Sequence, residues 1–280
     1  MTRATLLVAL VAASLSAQEF EIATPVRQGD TVRVVVRDAG ETYLEAGVRF
    51  ADRTVPLFRQ EEGELLALAP VPVNVEPGAH PLAVVDRTGA ILHQTQVKVL
   101  DAQFPRQNIR ATSSMKALQP LPGEMEAMRD LRNTVSSERF WADTLINPVR
   151  NCMTSPFGVA RYHNGKPTGG YHRGVDLRSP EGRPVRAPAA GIVKIARMFR
   201  LHGGTVGLDH GQGVTSSYIH LSKTAVKKGE KVKQGEIVGY VGSTGFSTAP
   251  HLHWGLYVHG LPVNPKQWNP AKGWLTPCAR

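Results

Sequence analysis

The sequence predicts a mainly β protein in three stretches: a small N-terminal β-sandwich of immunoglobulin-like type, a helical linker, and a C-terminal β-sheet domain. Three observations carry that expectation. Between about Glu19 and Val99 short alternating apolar runs are separated by turn residues; between about Phe104 and Asn147 the apolar spacing becomes helical; from Cys152 onward β-type runs return, punctuated by Gly and Pro. At 280 residues the chain is long enough for two domains with cores of their own.

The first seventeen residues, "MTRATLLVALVAASLSA", combine a short basic start at Arg3, an apolar run from about Ala4 to Leu15 and small residues before Gln18. This pattern reads as a secretory signal peptide over residues 1–17. The apolar run is shorter than the roughly 20 residues that span a bilayer, and no later segment competes with it. The expected protein is exported, periplasmic or secreted, with no transmembrane segment. No Cys lies near this end to carry a lipid anchor.

Residues 18–102 form the predicted sandwich. "DTVRVVVRD" places Val32, Val34 and Val36 on one face, and "AHPLAVVDRTGAILHQTQVKV" reads as two strands around a turn at Arg87-Thr88-Gly89. Pro77 and Gly78 in "VEPGAH" supply a second turn. The stretch holds no convincing catalytic cluster, so a spacer or positioning role is expected. In residues 103–150, Met125, Met128 and Leu131 recur at helical spacing within "QPLPGEMEAMRDLRNTVSSERFW", which reads as a linker with one or two short helices and packing methionines. Residues 151–280 return to strands and hairpins, with loops over one edge of a sheet. Two of their segments, "VRAPAAGIVKI" and "VKQGEIVGYVG", share a strand, Gly turn, strand pattern.

Charge separates the halves. Residues 1–150 carry 16 Lys+Arg against 18 Asp+Glu, whereas residues 151–280 carry 17 against 5. A polyanionic partner is expected for the second half, with cell wall, anionic lipid head groups and nucleic acid as candidates. Nucleic acid is disfavoured, since no recognised binding motif or interleaved aromatic array occurs there. The two cysteines, Cys152 and Cys278, bracket this same half. In an oxidising compartment they are expected to pair, closing a long loop that the chain-entropy estimate values at about 4 to 5 kcal/mol.

Eight of the ten histidines lie after residue 160. Those with chemical promise are His172 and Asp176 in "GGYHRGVDLRS", His220 in "SSYIHLS", and His251 and His253 in "APHLHWGLYV". A catalytic zinc takes three nitrogen or carboxylate ligands and leaves a fourth position for water. His251 and His253, at i and i+2 on a strand, point to one side about 7 Å apart and can share a site. His172 and Asp176 can meet the same ion only if the chain bends, which Gly169, Gly170 and Gly174 allow. No His-Glu-x-x-His helix is present. His220 is then the natural proton acceptor, sharing a strand face with Tyr218, because a neutral imidazole can take a proton near pH 7. "NGKPTGG" lacks P-loop spacing and is not read as a phosphate site. His163 is placed on a possible groove wall, His210 in a Gly-rich turn, and His202 and His259 in loops or at a rim.

These blocks, in order, resemble the lysostaphin-type zinc metallopeptidases that cleave peptide bonds of bacterial peptidoglycan. The resemblance covers about residues 150–270 and rests on "SPFGVARYH", "HRGVDL", "VRAPAAGIV", "LDHGQGVTSSYIHLS" and "VGSTGFSTAPHLHWGLYVHGLPVNPKQW". It implies an antiparallel β-sheet groove with metal on its floor, a Zn²⁺ held by His172, Asp176 and His253, and catalytic His220 and His251. Tyr162 and Tyr171 are further candidates at the oxyanion. The expected function is hydrolysis of peptidoglycan cross-links, a D,D cross-link before a glycine bridge, by a protein taken as a monomer. The rival expectation is a catalytically silent wall-binding or hydrolase-activating protein of the same fold.

Overall fold

Val32, Val34, Val35 and Val36 are all buried in the strand Thr31–Arg37, so this run has apolar partners on both faces. The structure, a computed structural model, describes residues 18–142, 144–269 and 276–278. The predicted signal peptide, residues 1–17, lies outside the described residues. Val32, Val34 and Val36 join Val48, Phe50, Leu82, Val84, Val97 and Val99 in one apolar cluster, built from a four-stranded and a five-stranded sheet. The hairpin Gly78–Val85 with Ile91–Leu100 turns where expected. There Asp86 Oδ1 accepts from the backbone N–H groups of Thr88 and Ala90 and from the Thr88 hydroxyl. Val35, Leu66 and Leu68 point the other way, into the core of the C-terminal half. The Gln267 side chain completes that junction by bonding both the N–H and the C=O of Thr31. A unit expected to act as a spacer is thus docked against its neighbour.

The C-terminal half is a mostly antiparallel ten-stranded sheet. Its main path runs Met153–Ser155, Val175–Arg178, His251–Val258, Val214–Thr224, Gly204–Gly211, Gly191–Met198 and Lys231–Val232. The two echoing sequence segments pair crosswise: Pro184–Arg186 with Ile237–Val241, and Gly191–Met198 with Lys231–Val232. Each echo thereby supplies the partner strand that the other lacks. One face of the sheet is dry, with Leu177, Leu208, Tyr218, Leu252, Trp254 and Leu256 inaccessible. Cys152 and Cys278 are bonded to each other, tying the end of the described chain beside Met153.

The stretch expected as a helical linker does carry helices, Ser113–Lys116 and Glu124–Arg132. It is also woven into the C-terminal half. Arg106–Ile109 pairs in parallel with Ala160–His163. Trp141, Leu145 and Val149 lie in the main core, and Met128 and Leu131 bury against Ile195 and Phe199.

Candidate active site

Register decides which side chains meet. Asp176 lies opposite His253, Arg178 opposite His251, and Ile219 opposite His253. Directly opposed residues share a sheet face. Asp176, Arg178, His251, His253 and Tyr257 therefore line the wet face, and Leu177, Leu252 and Trp254 the dry one. The wet face floors a groove of about 660 Å³. His172 reaches in from the bend between Lys166–Tyr171 and Val175–Arg178, held by its N–H to the Val159 carbonyl. Gly174 makes that bend possible by close approach: a Cβ there would overlap the Trp254 carbonyl and stand 2.8 Å from His253 Nε2.

Three ligand-type atoms converge. His172 Nε2 is 2.9 Å from Asp176 Oδ1 and 3.0 Å from His253 Nδ1, and His253 Nδ1 is 2.9 Å from Asp176 Oδ1. Zinc bonds of about 2.0–2.1 Å at tetrahedral angles separate ligands by about 3.3 Å, so the triangle fits one ion with slight opening. The donor set argues the same way. His172 Nδ1 donates to the Pro156 carbonyl at 2.8 Å, which leaves Nε2 as a lone pair aimed at a carboxylate oxygen. Electron-rich atoms facing one point call for a cation. Arg161 donates to the other carboxylate oxygen at 3.2 Å and fixes its orientation. Burial alone would raise the Asp176 carboxyl, but when protons rather than a cation occupy the point the three groups share, the charge and N–H bonds of His172 and His253 hold it well below its ordinary value. Burial lowers His253 to about 4, so it is a neutral nitrogen ligand at neutral pH.

His220 and His251 flank this triangle with ring centroids 4.9 Å apart. Each donates through Nδ1 to a backbone carbonyl, His220 to Thr244 and His251 to Ala249, both at 2.8 Å. Both Nε2 atoms are left as proton acceptors. The His251 Nε2 lies 3.8 Å from Asp176 Oδ1. Burial, reinforced by the neighbouring His251 and His253, lowers His220 to about 3 and keeps it neutral.

The expected face-sharing of His220 with Tyr218 is corrected. Tyr218 lies in the dry core opposite Trp254, its hydroxyl paired with Ser216 Oγ. Regular alternation would bury His220 beside it. Instead His220 adopts a left-handed backbone, φ 64°, and its ring faces the groove with Ser217 and Ile219. Such a conformation costs about 1–3 kcal/mol in a non-glycine residue and is tolerated best by Asn, Asp and His.

The remaining histidines divide. His163 is on the groove wall as expected, stacked on Phe246. His210 is buried within a strand rather than in a turn, bonded to the Ala190 carbonyl and Ser216. His259 packs beside Phe58 and Gly213, away from the groove. Of the two tyrosines singled out, Tyr171 lines the groove and Tyr162 does not.

His202 is no bystander, and its partner escaped the sequence reading. Glu124, fully buried, accepts N–H bonds from Leu121, Arg200, Leu201 and His202 and a fifth from His202 Nδ1 at 2.7 Å. The His202 carbonyl in turn accepts the N–H of His220. One carboxylate thus pins the Glu124–Arg132 helix, a groove wall, to the turn that braces a catalytic candidate. Burial alone would raise Glu124; the Leu121 N–H, the His202 ring and the remaining backbone donors outweigh it and lower the carboxyl from 4.5 to about 2. A folded pKa below the unfolded one means stability that is present above about pH 4.5 and lost as pH falls toward 2. Glu124→Gln should cost on the order of 2–3 kcal/mol at pH 7 in urea unfolding, with the deficit shrinking below pH 4.5. An equal deficit at pH 7 and pH 2.5 would refute the charge-based account.

With this geometry in hand, comparison with known sequences is decisive for residues 170–265, which match the pattern of peptidase family M23. The chain carries a peptidase family M23 domain. All five candidate residues, His172 to His253, fall inside the matched stretch. The chain is 42% identical over 113 residues to the DD-carboxypeptidase/endopeptidase Mpg of Neisseria gonorrhoeae, which is 40% of this chain and 26% of that protein. It is 45% identical over 101 residues to the glycyl-glycine endopeptidase ALE-1 of Staphylococcus capitis, 35% of this chain and 28% of that protein. The chain thus spans about a quarter of the length of these curated relatives. A solved structure described as a peptidase M23 from Pseudomonas aeruginosa superposes with a TM-score of 0.64 at 28% identity, covering 86% of this chain and 93% of that one. That likeness extends well beyond the M23 domain into the N-terminal half. Among the described residues no helix is long and apolar enough to cross a membrane.

Proposed function

We propose that the protein is an exported zinc-dependent endopeptidase that hydrolyses peptide cross-links of bacterial peptidoglycan, with D,D cross-links as substrate. The observation that carries this reading is the convergence of His172 Nε2, Asp176 Oδ1 and His253 Nδ1 beneath two proton-accepting imidazoles. His172, Asp176 and His253 would hold the metal. A zinc ion bound there supplies polarisation of the scissile carbonyl and a water of lowered pKa. His220 and His251 supply the proton traffic: one Nε2 accepts the water's proton, and the pair delivers a proton to the departing amine. Their Nδ1 bonds to Thr244 and Ala249 fix both tautomers in the accepting state. Tyr171, on the wall, stands as a further donor toward an oxyanion.

Peptidoglycan as partner is supported by the relatives' named activities and by the basic C-terminal half. Export is supported by the leader-like residues 1–17 and by the Cys152–Cys278 bond. The N-terminal unit, docked through Val35, Leu66 and Leu68, is read as an accessory domain that buttresses the peptidase sheet. The test is mass spectrometry of fragments released from defined peptidoglycans by the zinc-loaded protein. Cleavage at the D-alanyl cross-link, abolished by a chelator and restored by zinc, is expected. Intact cross-links after prolonged incubation with stoichiometrically loaded protein would overturn the reading.

A further inference from the structure

The groove that holds the triad is unbalanced in charge. Asp176 is the only carboxylate lining it among the described residues, and that group is committed to His172, His253 and Arg161. Against it stand Arg132, Arg161, Arg173 and Arg178. Three of these have work already. Arg161 donates to Asp176 and Gln107, Arg132 lies over the Tyr257 ring at 5.8 Å, and Arg173 lies over Tyr171 at 5.9 Å.

Arg178 differs. Its side chain is exposed and has no ion pair, side-chain hydrogen bond or ring contact among the described residues. Its place is nonetheless fixed: it sits two residues after Asp176 on the same sheet face, directly opposite His251. Two strand steps cover about 7 Å, and an arginine side chain spans a similar length. The fork can therefore reach a group one or two bonds removed from an amide lying over the triad. A guanidinium is the side chain best shaped to take a carboxylate with two parallel N–H bonds.

We propose that Arg178 is a specificity residue that binds a free carboxylate of the substrate next to the scissile amide. The inference rests on the hydrolase reading above and narrows its substrate class. The fitting cross-link is one whose amide nitrogen is borne on a carbon that also carries a free carboxylate, as where the amine of a diamino dicarboxylic acid forms the cross-link; a lysine side-chain amine, on a CH2, does not qualify. A glycine bridge offers no such group. What sets Arg178 apart from an ordinary solvated arginine is its place, in register with His251 on the lining of the groove that holds the triad.

The experiment uses the full zinc-loaded chain and a matched pair of cross-linked peptides, one with the free carboxylate and one with it converted to carboxamide. The wild-type protein should prefer the carboxylate form by about 10-fold or more in kcat/KM, Arg178→Ala should bring the ratio to within about 2-fold of unity, and Arg178→Lys should fall between, as expected when a bidentate charged contact is lost or made single. A wild-type ratio near unity, or an Arg178→Ala ratio equal to wild type, overturns the proposal. Calorimetric titration with the amine-side product peptide, free and amidated, gives a reading independent of turnover. Discrimination in binding that depends on Arg178, with neither peptide cleaved, would sustain the carboxylate site while sinking the hydrolase reading. Cleavage without discrimination in either measurement would do the reverse.

Discussion

His253→Ala should leave the protein folded and without metal. Zinc measured per chain after dialysis should fall from about one equivalent to near zero, and peptidase activity with it. Loss of an outer partner of a metal-bound histidine already lowers affinity by about 10–100-fold, and removing the ligand itself should exceed that. The structure says why the neighbour two residues away behaves differently. His253 Nδ1 is within 3.0 Å of the other two candidate ligand atoms, whereas His251 Nε2 stands 3.8 Å from Asp176 Oδ1 and its Nδ1 donates to the Ala249 carbonyl. His251→Ala should keep its zinc and lose turnover. The opposite pattern, with metal lost at His251 and kept at His253, would exchange the two assignments. His172→Ala and Asp176→Asn belong with His253, and Asp176→Asn has a second consequence because Arg161 would lose its anionic partner.

Much of this site could be read from the residue order. His-x3-Asp and His-x-His survive as pattern because strand registry needs only local spacing: Asp176 and His253 end up opposite each other once the strands Val175–Arg178 and His251–Val258 align. What could not be read is whatever depends on a long-range partner or a broken rule. Glu124 sits in "PLPGEMEAM", where a carboxylate before a helix looks like ordinary first-turn chemistry. Its real partners are backbone N–H groups at residues 200 to 202, and only the fold makes them neighbours. Arg106–Ile109 lacks alternation, and its pairing with Ala160–His163 leaves no local trace. Val35 is the converse case. The alternation in "DTVRVVVRD" predicts one buried face, and the partner that buries Val35 on the other, the core of the C-terminal half, is not written nearby.

The deepest of these failures of local pattern is His220, and it leads to the second large effect. Period-two alternation sends His220 to the dry side with Tyr218, and the left-handed φ of 64° brings its ring back to the groove. On the proposed reading the residue carries two loads, a proton-accepting role and an unfavourable backbone conformation, and a substitution can be chosen to separate them. Asparagine tolerates the left-handed region nearly as well as histidine does, so His220→Asn should unfold within about 1 kcal/mol of wild type. It should also bind zinc normally, since no ligand atom is touched. Turnover should nonetheless fall by about 10²–10⁴-fold, the usual contribution of a positioned general acid or base. His220→Ala should show the same loss of turnover with a further penalty of about 1–2 kcal/mol in stability, because alanine pays the full steric cost of that conformation. His220→Gly should recover the stability and none of the activity. If His220→Asn retained more than about a tenth of wild-type kcat, outside the range that general acid–base catalysis supplies, His220 would be a backbone device alone and proton transfer would fall to His251. If His220→Ala were as stable as His220→Gly, the left-handed turn would not be what aims the ring.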